Sequence, residues 1–92
     1  MRAFQKLLLR VLNGESDQSI RFNDLCVLLV RLGFRERQQR GSHRIFYRDG
    51  LQEIVNLQSR NDGGAKPYQV RQVRGIIIKY QLGQVERSKN DS

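Results

Sequence analysis

The 92 residues are enough for one small domain with a modest core and too few for a second. The apolar share of 38% lies above that of a disordered chain, and the formal net charge of +8 points to a polyanionic partner. One cysteine and one histidine exclude an internal disulfide and a metal site built from His and Cys alone.

Thirteen of the 17 cationic residues are arginine, whose planar fork fits phosphate. Five of them, Arg35, Arg37, Arg40, Arg44 and Arg48, fall in one short segment against a single acid, Glu36. Such clustering fits nucleic acid better than it fits simple solubility. No apolar run reaches membrane-spanning length and no signal-peptide pattern opens the chain, so the expected compartment is the cytoplasm.

Phe4, Leu7, Leu8, Val11 and Leu12 recur at helical spacing and predict a first helix over residues 2–13, stopped at Asn13-Gly14. Residues 15–20 read as a polar connector. A second helix is expected to open with Asn23 as its cap and Phe22 as a hydrophobic staple. Leu25, Leu28, Leu29 and Leu32 form its stripe, Cys26 is a small core residue, and Gly33 stops it.

The pattern then changes period. Phe34 to Arg40 alternates weakly and predicts a first strand, and Gly41 marks a turn or bulge. Ser42 to Arg48 predicts a second strand, with Ile45 and Tyr47 on one face and Phe46 on the other; the parity with Ile45 assigns Tyr47 to the core. Asp49-Gly50 is the signature of a type I′ hairpin. The third strand follows over Leu51 to Gln58, with Leu51, Val55 and Leu57 sharing a face and Ile54 opposite.

Residues 59–66 read as a loop, and Pro67 is suited to the first position of a last helix. Val70, Val73, Ile77 and Tyr80 form its apolar face, Ile76 and Ile78 widen it, and Gly83 closes it. The chain thus divides into an N-terminal helix and connector (1–20), a unit of α-β-β-β-α order (21–83) and a polar tail (84–92). The fold class is α+β: a three-stranded antiparallel sheet packed on helices, in the order of double-stranded RNA-binding domains, with one additional N-terminal helix.

The chemistry centres on His43, inside Arg40-Gly41-Ser42-His43-Arg44-Ile45-Phe46. Histidine is the side chain that both gives and takes protons near neutrality. Set among guanidiniums, it points to acid–base work on a phosphodiester. A histidine on a basic strand also has a plain reading, as a surface residue. The start of the last helix offers a second phosphate-binding surface, where free amides and the helix dipole join Lys66, Arg71 and Arg74, with Gln69 and Gln72 as further hydrogen-bonding groups. The plain reading there is a solvated basic helix face.

Leu32-Gly33-Phe34, then Arg40-Gly41-Ser42-His43 and Ile45-Phe46, resemble the HicA family of toxin ribonucleases over residues 22–82. The resemblance implies that His43 is the catalytic residue of a metal-independent, cofactor-free endoribonuclease acting on mRNA. It also implies a HicB-type antitoxin that neutralises the enzyme, while the RNA contacts expected of Arg35, Arg37, Arg40, Ser42, Arg44, Lys66, Arg71 and Arg74 are read from the basic strand and the start of the last helix. Many relatives carry Pro-x-His at the end of the third strand; here that stretch is Val55-Asn56-Leu57-Gln58. A non-catalytic RNA-binding module on the same scaffold is the alternative, and a domain that meets only an acidic protein is the third reading.

Overall fold

A computed structural model describes residues 3–37, 41 and 43–83. The elements run α1 (Ala3–Asn13), a short 3-10 turn (Asp17–Ser19), α2 (Phe22–Arg31), β1 (Arg35–Glu36), β2 (His43–Tyr47), β3 (Val55–Gln58) and α3 (Pro67–Tyr80). The strands form one antiparallel sheet in the order β1-β2-β3. This is the α+β architecture expected, with the additional helix in front.

Alternation along the strands divides the sheet into two unlike faces. Phe46, Val55 and Leu57 point one way and are fully buried. Together with Phe34 they meet Leu25, Leu28 and Leu29 of α2 and Val70, Val73 and Ile77 of α3 in one core. Leu8 and Val11 of α1 join the same core, as does Ile20 from the connector, which is fully buried rather than polar surface. Cys26 is buried as expected, and burial pushes its thiol up to about 11.

Several boundaries differ from expectation. α2 begins at Phe22 and its cap is Arg21, with no capping side chain; Asn23 sits exposed in the first turn. The returning loop does that work, since Gly63 C=O accepts from Phe22 N–H at 3.0 Å and Arg21 bridges Gly64. β1 is only two residues long, although Arg37 N–H still donates to Ile45 C=O at 2.8 Å. Residues 38–40 and 42 lie outside the described residues, so the expected extensions of the first two strands there do too.

The type I′ hairpin does not form. Of the two central residues only Gly50 takes positive φ (+91°), the pattern of a type II turn, closed by Leu51 N–H donating to Arg48 C=O at 3.1 Å. β3 therefore starts at Val55 and not at Leu51. Glu53, in the connection, holds it down by accepting from Tyr80 Oη at 2.6 Å and Lys79 Nζ at 2.8 Å. The Lys79 ammonium, followed by the Tyr80 hydroxyl, keeps the Glu53 carboxyl below its ordinary value.

Both long C-terminal helix ends close the same way. After α2, Phe34 N–H donates to Leu29 C=O and Gly33 N–H to Val30 C=O, each at 3.0 Å, with Gly33 at φ +99° and Phe34 buried on Leu29's side of the core. This is a Schellman closure, and it explains why Leu-Gly-Phe follows the stripe. After α3, Leu82 N–H reaches Ile77 C=O and Gln81 N–H reaches Ile78 C=O. Here Gln81 follows the helix directly in the left-handed region at φ +55°, and Gly83, two residues on, is at φ +76°. Ile76 joins the core, whereas Ile78 is 60% exposed and does not widen the buried face.

Candidate active site

Among the described residues no helix covers the second face of the sheet. Along β2 it presents His43, Ile45 and Tyr47; along β3, Asn56 and Gln58; along β1, Arg35 and, one residue on, Arg37. Tyr47 lies on this open face and not in the core, because the buried parity is that of Phe46.

His43 is exposed, and its Nδ1 lies 3.0 Å from Asn56 Oδ1. A carbonyl oxygen only accepts, so Nδ1 carries the proton in this pair. In the neutral ring Nε2 is then the lone-pair nitrogen, directed away from Asn56. Opposite His43 in the ladder stands Gln58, whose Oε1 accepts from Lys66 Nζ at 3.1 Å. Lys66 thus brings an ammonium from the start of α3 to the end of the sheet that carries His43.

Asn56 is in turn anchored from behind. Gln69 of α3 is 5% exposed; its Nε2 donates to Asn56 C=O at 3.0 Å and its Oε1 accepts from Gln58 N–H at 3.2 Å. Its amide supplies the donor and acceptor that the N–H and C=O of one residue of a further parallel strand would supply. Gln69 is therefore no surface contact for RNA. It sets the backbone of the two β3 residues nearest His43.

The basic residues divide into two groups. Arg35 and Arg37 are on the open face; Arg35 makes a solvent-exposed pair with Asp49 at 3.3 Å, and the Arg37 guanidinium stands 5.9 Å from the centroid of the Tyr47 ring. Arg71 is exposed on α3. Arg44 and Arg74 are turned inward. Arg44 points to the helix-covered face and grips Glu36 with two bonds, at 2.7 and 2.6 Å, which raises its guanidinium above the ordinary value. Arg74 binds Asp17 at 2.9 and 3.2 Å and Val11 C=O at 3.0 Å. Both have carboxylate partners inside the fold and stand away from the His43 face. Arg40 and Ser42 lie outside the described residues.

The structure thus brings His43, Lys66 and Arg37 to one side of the molecule. It adds Asn56 and Gln69, neither of which sequence reasoning tied to His43. Among the described residues no three His, Cys, Asp or Glu side chains gather as a metal site, and no helix is long and apolar enough to cross a membrane.

An open basic sheet face, with helices behind it in α-β-β-β-α order, defines the class of double-stranded-RNA-binding-domain-like folds. The family model for the HicA toxin of bacterial toxin–antitoxin pairs matches residues 22–83, from the first residue of α2 to the turn after α3. That is well over half of the chain, and the chain belongs to the HicA toxin family. As a toxin of that kind it implies an antitoxin partner. α1 falls outside the match. No curated protein and no solved structure gives a significant match.

Proposed function

We propose that this toxin is an endoribonuclease that cleaves mRNA in the cytoplasm, with His43 as its general base. The observation that carries the reading is the His43–Asn56 hydrogen bond on an exposed basic face, because it fixes the proton on Nδ1 and leaves Nε2 to accept one. Nε2 takes the proton of a ribose 2′-OH. The 2′-oxygen attacks the adjacent phosphorus, and the bond to the 5′-oxygen of the next nucleotide breaks. The products are a 2′,3′-cyclic phosphate and a 5′-hydroxyl, whose proton comes from water or an acid. Base assistance of this kind contributes about 10²- to 10⁴-fold.

Charge developing on the phosphoryl oxygens calls for nearby cations. Lys66, bonded to the Gln58 that stands opposite His43, is the cation for that role, with Arg37 and Arg35 further along the same face. Arg40 and Ser42 belong to the RNA-binding set by their place in the sequence beside His43. Arg71 extends the basic surface along α3, whereas Arg44 and Arg74 act through the fold. The unit 21–83 carries the activity and α1 supports it. The antitoxin is a HicB-type protein whose acidic surface covers the sheet, since opposite charge speeds association and occludes the site.

The deciding experiment compares wild type with His43→Ala on a labelled RNA in the presence of chelator, with circular dichroism confirming both folds. Cleavage by wild type and a loss of at least about 100-fold in the variant is the expected result. Equal cleavage by both removes His43 from the mechanism. RNA binding without cleavage by wild type establishes the non-catalytic module instead.

A further inference from the structure

Tyr47 and Ile54 are apolar groups that the core does not use. Tyr47 is half-buried on the open face and Ile54 is 51% exposed. They line one concavity of about 510 Å³ with Arg37 at its rim. Asp49 lies on the same rim, its charge offset by Arg35 at 3.3 Å. An aromatic ring, an aliphatic wall and a guanidinium around one hollow are what a flat, polarisable group carried on an anionic backbone requires.

The hollow is aligned with the proposed chemistry. His43, Ile45 and Tyr47 are alternate residues of one strand on one face, which puts Tyr47 about 13 Å from His43 along β2. A few nucleotides of extended strand cover that distance. A polynucleotide with its scissile phosphate at His43 and running along β2 arrives at the hollow. Arg37 stands 5.9 Å from the ring centroid, at the outer limit of such a contact, so its flexible side chain can swing to cover a base lying on Tyr47. Bases inside a duplex are stacked on one another and cannot enter.

We infer that Tyr47, Ile54 and Arg37 form a subsite for one unpaired nucleobase of the RNA, a few nucleotides from the cleaved bond, and that the substrate is single-stranded there. The inference rests on the ribonuclease reading only for the position of that bond.

The test is fluorescence anisotropy of the full chain with a labelled single-stranded 2′-O-methyl RNA, which lacks the nucleophile and stays intact. Tyr47→Ala should weaken binding ~5- to 100-fold, the span of base–aromatic stacking, and Tyr47→Phe should restore most of it. Ile54→Ser, at an exposed position, should weaken it in the same direction without touching the core. One abasic position in the RNA should weaken wild type to the same extent and add nothing to Tyr47→Ala. Unchanged affinity in both Tyr47→Ala and Ile54→Ser, or an equal loss towards a duplex of the same sequence, overturns the subsite and leaves the hollow to the protein partner. Cleavage of ordinary RNA by wild type, measured alongside, separates the two readings. Cleavage without Tyr47 dependence sinks the subsite alone, Tyr47-dependent binding without cleavage sinks the nuclease alone, and no binding at all sinks both.

Discussion

A single amide oxygen decides what His43 can do. Asn56 Oδ1 has no proton to give, so the ring is held in the tautomer whose free nitrogen points outward. Asn56→Ala is expected to lower kcat by about 10-fold or more while KM changes little, because the base loses its orientation but the RNA surface stays. Asn56→Asp, which keeps the acceptor, is expected to recover activity; single-turnover cleavage kinetics measure both. The histidine was legible in the sequence from its basic strand and its Gly-Ser-His setting. Asn56 carried no signal of its own, although a tight turn at Asp49-Gly50 would set it opposite His43; the observed register sets Gln58 there and leaves Asn56 on the diagonal, still within reach. The slip is an even one, so every side chain kept its face and only the neighbours changed.

The helices were readable because a 3.6-residue stripe persists over many residues, as Leu25, Leu28 and Leu29 show. Their ends were less so. The start of α2 is set by Gly63, some forty residues away in sequence, and no local cap encodes that. At the end of α3 a glycine two residues downstream drew attention from Gln81, which takes the left-handed position itself. A side chain with a Cβ is strained there by roughly 1–2 kcal/mol. Gln81→Gly relieves that strain, less the chain entropy a glycine loses on folding, and should stabilise the domain by about 0.5–1 kcal/mol. Thermal melting should then show a midpoint higher by about 2–8 °C.

Over the whole molecule the net charge of +8 is not simply surface charge awaiting a ligand. Part of it is structural. Arg74 crosses from α3 to Asp17 and to the last turn of α1, with its side chain 19% exposed and that of Asp17 13%. α1 lies outside the family match, and this clamp joins it to the rest together with the packing of Leu8 and Val11 and the Arg31 guanidinium over the Phe4 ring. Arg74→Ala leaves a largely buried carboxylate and a helix carbonyl without their partner. It should cost about 2–4 kcal/mol, read as a lower urea midpoint at unchanged slope. Composition gave the sign of the charge and the arginine bias, but which cations face inward depends on the carboxylates that the fold brings to them, Asp17 and Glu36.

The amide of Gln69 has a consequence for how molecules of this chain can meet one another. Sheets that grow edge to edge need two open edges per molecule, one to offer and one to receive. Along β3 the backbone groups of Asn56 and Gln58 are already engaged by a side chain of the same molecule, and an arriving strand would have to evict it from a buried position. The opposite edge is β1, two residues long and carrying Arg35 and Glu36. A second copy could pair there once, symmetrically, and the chain of additions would stop at two. The residue that braces the candidate site also denies the molecule a route to fibres.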